Sequence, residues 1–189
     1  MKLKNLKTNK NNYFKDIKVV YPEIYSDNRG YFYESWNKRD FNIEIPNFNL
    51  CQENHSYSKR NVLRGLHFQI RPHAQAKFVE CISGRIIDVV VDIRKDSPTF
   101  MQWGKVELSD INHIQILIPE GFAHGFYTLS ESAHLIYKVN NYWHKASERT
   151  IIWDDPFLSI DWNLKNKPIL SEKDSLGKPI DEFVFEDLF

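Results

Sequence analysis

Between Ile17 and Trp153 the chain is a succession of short runs of β-branched and aromatic residues, cut by turn-forming residues at close intervals. That rhythm constrains the fold most, because a strand needs only about five or six residues whereas a helix needs a sustained 3.6-residue period. The clearest run is Ile86–Ile93. There Ile87, Val89, Val91 and Ile93 share one face of an extended chain, while Asp88 and Asp92 fall on the other. The stretches IKVVYPEIY, GYFYESW, AKFVECI, HIQILIP and AHLIYKVNNYW are similarly rich in strand-forming side chains. Asp27-Asn28-Arg29-Gly30, Ser83-Gly84, Asp96-Ser97-Pro98 and Pro119-Glu120-Gly121 separate them with residues suited to tight turns. No sustained helical period precedes residue 155. Many short strands at regular spacing predict an all-β sandwich or barrel, for which a jelly roll is the natural closed arrangement.

A length of 189 residues suits one domain, and no repeat or Pro/Gly/Ser-rich linker divides it. The Lys- and Asn-rich start, residues 1–15, reads as a mobile lead-in. Residues 154–189 carry Asp, Lys, Pro and isolated apolar side chains, and read as an irregular or short-helical extension packed on the barrel. The 25 basic and 25 acidic residues cancel, so no overall field favours nucleic acid or an anionic membrane. An anionic ligand must then be caught by a few local Arg and Lys side chains. Cys51 and Cys81 stand far apart without a CxxC partner, which predicts reduced thiols rather than a zinc site or disulfide. There is no apolar run of membrane-spanning length and no hydrophobic signal core, so the expected location is the cytoplasm.

Chemistry-bearing residues concentrate in CQENHSYSKRNVLRGLHFQ. Strict alternation sets His67 with Leu63 and Gln69, and Arg64 opposite. Gly65 between them marks a site for a bulge that brings both side chains to one side. A histidine here is most often a satisfied structural residue; its polar company favours a functional one. Lys77 shares a face with Val79 and Cys81, where an ammonium is costly unless it meets an anion, or else guards a sheet edge. Tyr137 shares a face with Leu135 and Val139, and alone reads as a core tyrosine with a hydrogen-bond partner. Pro119-Glu120-Gly121-Phe122-Ala123-His124 resembles the second cupin motif, in which a turn presents a histidine into the barrel. The first cupin motif supplies metal ligands as His-x-His. Here that stretch reads His67-Phe68-Gln69, one imidazole short, so no metal site is expected. Asp174 in ILSEKDS has nothing local to separate it from solvated surface.

Together DNRGYFYESW, QENHSYSKRNVLRGLHFQ, AQAKFVECISGRIIDVVVDIR, DSPTF, IPEGFAHGF, LIYK, IIWDDP and LSEKD, in that order, closely resemble the dTDP-4-dehydrorhamnose 3,5-epimerase family over about residues 17–175. The resemblance implies a cupin-type jelly-roll homodimer that inverts C3 and C5 of a dTDP-4-keto-6-deoxyhexose in rhamnose-type deoxysugar biosynthesis, without metal or cofactor. It implies His67 as base with Asp174 as its dyad partner, Lys77 beside the keto oxygen and Tyr137 as acid on the opposite sugar face. Arg64, Gln52, Asn54, His124 and Lys173 match substrate-binding positions around the sugar and diphosphate. Arg29, Phe32 and Glu34 match the segment that helps hold the nucleotide, partly at the dimer interface. Two positions depart from the pattern. Trp143 stands where the family often has the second of two tyrosines, near the substrate, and Met101 stands where glycine is frequent. The alternatives are a single-centre epimerase, a metallo-cupin isomerase or oxygenase, and a non-catalytic sugar-nucleotide binding module. The last demands no base, lysine and acid together.

Overall fold

The structure is a computed structural model of the chain and describes residues 1–39, 41, 49–183 and 188–189. Its strands are β1 (Lys2–Lys7), β2 (Tyr13–Tyr21), β3 (Tyr25–Asp27), β4 (Gly30–Phe32), β5 (Gln52–Lys59), β6 (Leu63–Gln69), β7 (Lys77–Ser83), β8 (Arg85–Asp92), β9 (Trp103–Ser109), β10 (Gln115–Ile118), β11 (Phe122–Thr128), β12 (Ser132–Val139) and β13 (Glu148–Thr150). They form a six-stranded sheet ordered β1-β2-β10-β7-β12-β5 and a five-stranded sheet ordered β13-β6-β11-β8-β9, with β3 and β4 as a separate hairpin. The paired strands run antiparallel, and the crossovers between sequence-distant neighbours make a jelly roll of the cupin type.

The inter-sheet core takes Ile17, Val79, Cys81, Ile116 and Leu135 from the larger sheet, and Ile86, Val90, Leu108, Phe122 and Phe126 from the smaller. Outside the smaller sheet, Ile87, Val89, Val91 and Ile93 pack with Ile151, which follows β13, and with Leu158, Trp162 and Ile180 of the C-terminal extension. The alternation of β8 therefore separates two apolar layers rather than core from solvent. Asp88 and Asp92, on the inward face, are fully buried. Asp92 is satisfied by Arg94, Ser97 and Thr99. Residues 184–187 of the extension lie outside the described residues.

At the N-terminus the structure differs from the sequence reading. Lys2–Lys7 pair with β2 as the edge of the larger sheet, where a lead-in was expected. Leu6 is buried in the inter-sheet core, while the lysines point to solvent and blunt the open edge. Met101 adopts φ 58°, a left-handed conformation that glycine takes without strain.

Candidate active site

One end of the inter-sheet space is polar instead of apolar. A cavity of about 240 Å³ opens there between the sheets, lined by Arg64, His67, Lys77, His124, Tyr137, Trp143, Glu148 and Lys173 among others. An adjoining cavity of about 310 Å³ shares His67, Lys77, Tyr137, Trp143 and Glu148 and adds Gln52, Asn54 and Gln75. The smaller sheet contributes Arg64 and His67 from β6 and His124 from β11. The larger contributes Lys77 from β7, Tyr137 from β12, and Gln52 and Asn54 from β5. The imidazole and the phenol thus stand on opposing sheets around one space.

Register explains how β6 delivers both Arg64 and His67. Opposite β11, His67 pairs with His124 and Arg64 with Phe126, so two residues of β6 lie between pairs that only Gly125 separates on β11. The extra residue is a bulge. Gly65 sits at φ +112°, and a Cβ there would come within 2.6 Å of the Gly125 backbone. Only glycine fits, and the side-chain alternation is reset as the sequence suggests.

His67 Nε2 lies 2.5 Å from Asp174 Oδ1. Asp174 is 3% exposed and belongs to a short helical turn, Glu172–Ser175. Ser171 caps that turn by accepting from the Asp174 backbone N–H, and its hydroxyl donates to Asp174 Oδ2 at 2.7 Å. The Gly65 N–H also points to Oδ1, at 3.4 Å. Two local elements, a capped turn and a bulge, therefore aim one carboxylate at one imidazole across 107 residues. Burial lowers the His67 pKa from its ordinary 6.5, against the opposing pull of Asp174, and the cations Lys173 and Lys77 lower it further. Asp174 ends below the usual carboxylate range: burial raises it, but the hydrogen bond from His67 prevails. The pair rests as neutral imidazole and carboxylate, with the second ring nitrogen left to accept a proton.

Lys77 reaches toward the His67 carbonyl at 3.4 Å, and burial brings its pKa down to about 8 against the pull of Glu148 and Asp88. Burial also raises the Tyr137 phenol, partly offset by Arg64. Arg64 is braced by Ser58 Oγ at 3.0 Å and the Tyr57 carbonyl at 2.9 Å. Gln52 donates to Asn54 Oδ1 at 2.7 Å. His124 and the buried Asp88 form a second pair at 2.7 Å. Among the described residues, no group of three or more His, Cys, Asp or Glu side chains is placed to hold a metal ion.

Glu148 was missed by sequence reasoning. It lines both cavities from β13 and pairs with Lys173 at 3.0 Å, but ERT offers no local signal of that position. Asp88 carried a signal, since an aspartate inside an apolar strand needs a buried partner. Three expected residues lie elsewhere. Arg29 is exposed and paired with Asp27, while Phe32 and Glu34 line a separate cavity with Tyr25 and Trp36. None of the three lines the His67 pocket of its own chain.

The family profile of dTDP-4-dehydrorhamnose 3,5-epimerase matches residues 11–182. The chain belongs to the dTDP-4-dehydrorhamnose 3,5-epimerase family. The dTDP-4-dehydrorhamnose 3,5-epimerase of Salmonella typhimurium is 48% identical over 168 residues, 88% of this chain and 92% of the relative. The dTDP-6-deoxy-D-glucose-3,5-epimerase of Legionella pneumophila, solved in complex with dTDP-4-keto-L-rhamnose, superposes with a TM-score of 0.91. It is 41% identical, covering 99% of this chain and 97% of that one. A 3'-monoepimerase from Streptomyces bikiniensis, in complex with dTDP-quinovose, has a TM-score of 0.84 at 31% identity, covering 87% of this chain and 84% of that one. The solved structures that resemble this chain thus include one named as a 3,5-epimerase and one named as a 3'-monoepimerase.

Proposed function

We propose that this epimerase inverts C3 and C5 of a dTDP-4-keto-6-deoxyhexose, an isomerase step in rhamnose-type deoxysugar synthesis. Three side chains around one pocket carry the reading: His67 on the smaller sheet, and Tyr137 and Lys77 on the larger one that faces it. A hydrogen on carbon beside a ketone is weakly acidic. Neutral His67 takes that proton, and the C–H electron pair moves onto the keto oxygen as an enolate. The Lys77 ammonium offsets the developing oxyanion charge, an effect that is typically among the largest in such sites. Tyr137, held protonated by burial, returns a proton to the carbon from the other face. Asp174 fixes the His67 ring and stabilises its charged form. No hydride moves, so the chemistry calls for no redox cofactor.

Arg64 suits the diphosphate because a guanidinium binds two oxygens at once. Lys173, His124, Gln52 and Asn54 complete the sugar and diphosphate contacts in this reading. Arg29, Phe32 and Glu34, remote from their own pocket, serve the nucleotide in the pocket of a second copy, which makes the working unit a homodimer. Both cysteines are free, in keeping with a cytoplasmic enzyme.

A second reading, inversion at one centre only, rests on Trp143, which lines both cavities in place of the family's frequent tyrosine. Incubation with dTDP-4-keto-6-deoxyglucose in D₂O, followed by proton NMR, decides between them. Loss of both the C3 and C5 proton signals is the expected result; loss of one selects the second reading, and loss of neither rejects both.

A further inference from the structure

The β3–β4 hairpin and the residues that follow it, which carry Arg29, Phe32 and Glu34, are fastened to the barrel by a buried polar cluster. Tyr33 follows β4 directly, and its hydroxyl donates to Glu80 Oε1. Gln115, the cross-strand partner of Glu80, donates through Nε2 to Glu80 Oε2 at 3.0 Å and to the Ser35 carbonyl at 3.0 Å. Glu80 is 6% exposed and Gln115 is 1% exposed. Two neutral donors thus hold a buried carboxylate, a costly group unless its oxygens are satisfied. His113 adds a ring contact on the same side, 4.6 Å from Tyr31 and 5.1 Å from Tyr33, centre to centre.

This fastening is also a means of presentation. Tyr33 is tied to Glu80 and Tyr31 rests on the His113 ring, while Phe32, 69% exposed, and Glu34 line a separate cavity beside Trp36 and Phe41. Glu80 and Lys77 lie on the same strand three residues apart, on opposite faces. The strand that sets the ammonium in the pocket also sets the anchor of the hairpin.

We propose that Tyr33, Glu80 and Gln115 are positioning residues for nucleotide capture, holding the β3–β4 hairpin where Arg29, Phe32 and Glu34 meet a dTDP group bound in the pocket of a second copy. The inference rests on the function proposed above. It is tested by dTDP binding, measured calorimetrically without turnover, beside steady-state kinetics with dTDP-4-keto-6-deoxyglucose. Losing the hydroxyl in Tyr33→Phe is expected to weaken dTDP binding and raise KM by about tenfold, with kcat within about twofold of wild type. Glu80→Gln is expected to weaken dTDP binding as well, because its single amide oxygen cannot accept from both Tyr33 and Gln115.

Mixing Tyr33→Phe protein with His67→Ala protein places an intact hairpin beside an intact base and is expected to restore low-KM turnover. Unchanged dTDP affinity and KM in both variants, with only a lowered Tm, would mean that the cluster is merely structural and would overturn the proposal. A mixture that keeps the high KM would overturn action on a second copy. Wild-type protein that binds dTDP yet epimerises nothing would reject the enzymatic function but leave the result for the anchor intact.

Discussion

Burial sets the charge states on which the pocket depends. Because His67 lies below its ordinary 6.5, it stays neutral, and able to accept a proton, into mildly acidic solution. Lys77 holds its proton until about pH 8. The kcat/KM profile is therefore expected to fall on the acid side below pH 6.5 and on the basic side near pH 8. A flat profile between pH 7 and 10 would remove the Lys77 ammonium from the mechanism. The stability signs follow from the same shifts. Between about pH 8 and 10.5 the unfolded chain binds the Lys77 proton more tightly, so that lysine's contribution makes stability rise with pH across the window. Depression of His67 makes stability fall as pH drops below 6.5. His67→Ala is expected to abolish deuterium exchange into the substrate, with the far-UV circular dichroism spectrum unchanged. The rate loss is expected to be at least about 10²-fold, and exchange that persists would remove His67 as the base. His67 was legible because it stands in a dense polar stretch. Asp174 was not legible from its surroundings: a capped turn and long-range packing, rather than local sequence, bring it to the imidazole.

At the scale of elements, β-branched and aromatic runs marked β2, β7, β8, β10 and β12, while β9, with its interspersed polar residues, was not marked out. Composition misread residues 2–7, whose lysines suit solvent-facing positions on an edge strand equally well. The glycine between Arg64 and His67 was a readable signal, since the bulge is what puts both on the pocket side. Gly65→Ala is expected to force the Cβ against the Gly125 backbone. The strain is expected to cost about 1–3 kcal/mol and to displace His67 from Asp174. Thermal unfolding and kcat measured on the same sample check this. A variant with wild-type Tm and rate would show that β6 does not need the bulge.

Over the whole molecule, the C-terminal extension does two jobs. It covers the outer apolar face of the smaller sheet and delivers Asp174 to the site. Trp162 is 2% exposed and sits against Gly125 on the back of the pocket strand. Trp162→Ala is expected to destabilise the fold by about 3–5 kcal/mol, read as a lowered denaturant midpoint. The place of Arg29, Phe32 and Glu34 away from the His67 pocket was not legible, because no local pattern in that stretch reports which cavity of the folded chain it lines.

The central claim is that two groups on opposite sheets work on opposite faces of one sugar. It is tested most directly by following Tyr137→Phe in D₂O and measuring deuterium wash-in and stereochemical inversion in the same reaction. Wash-in that persists while inversion falls by about 10²–10⁴-fold is the expected result. Equal loss of both would contradict the assignment of Tyr137 as the acid.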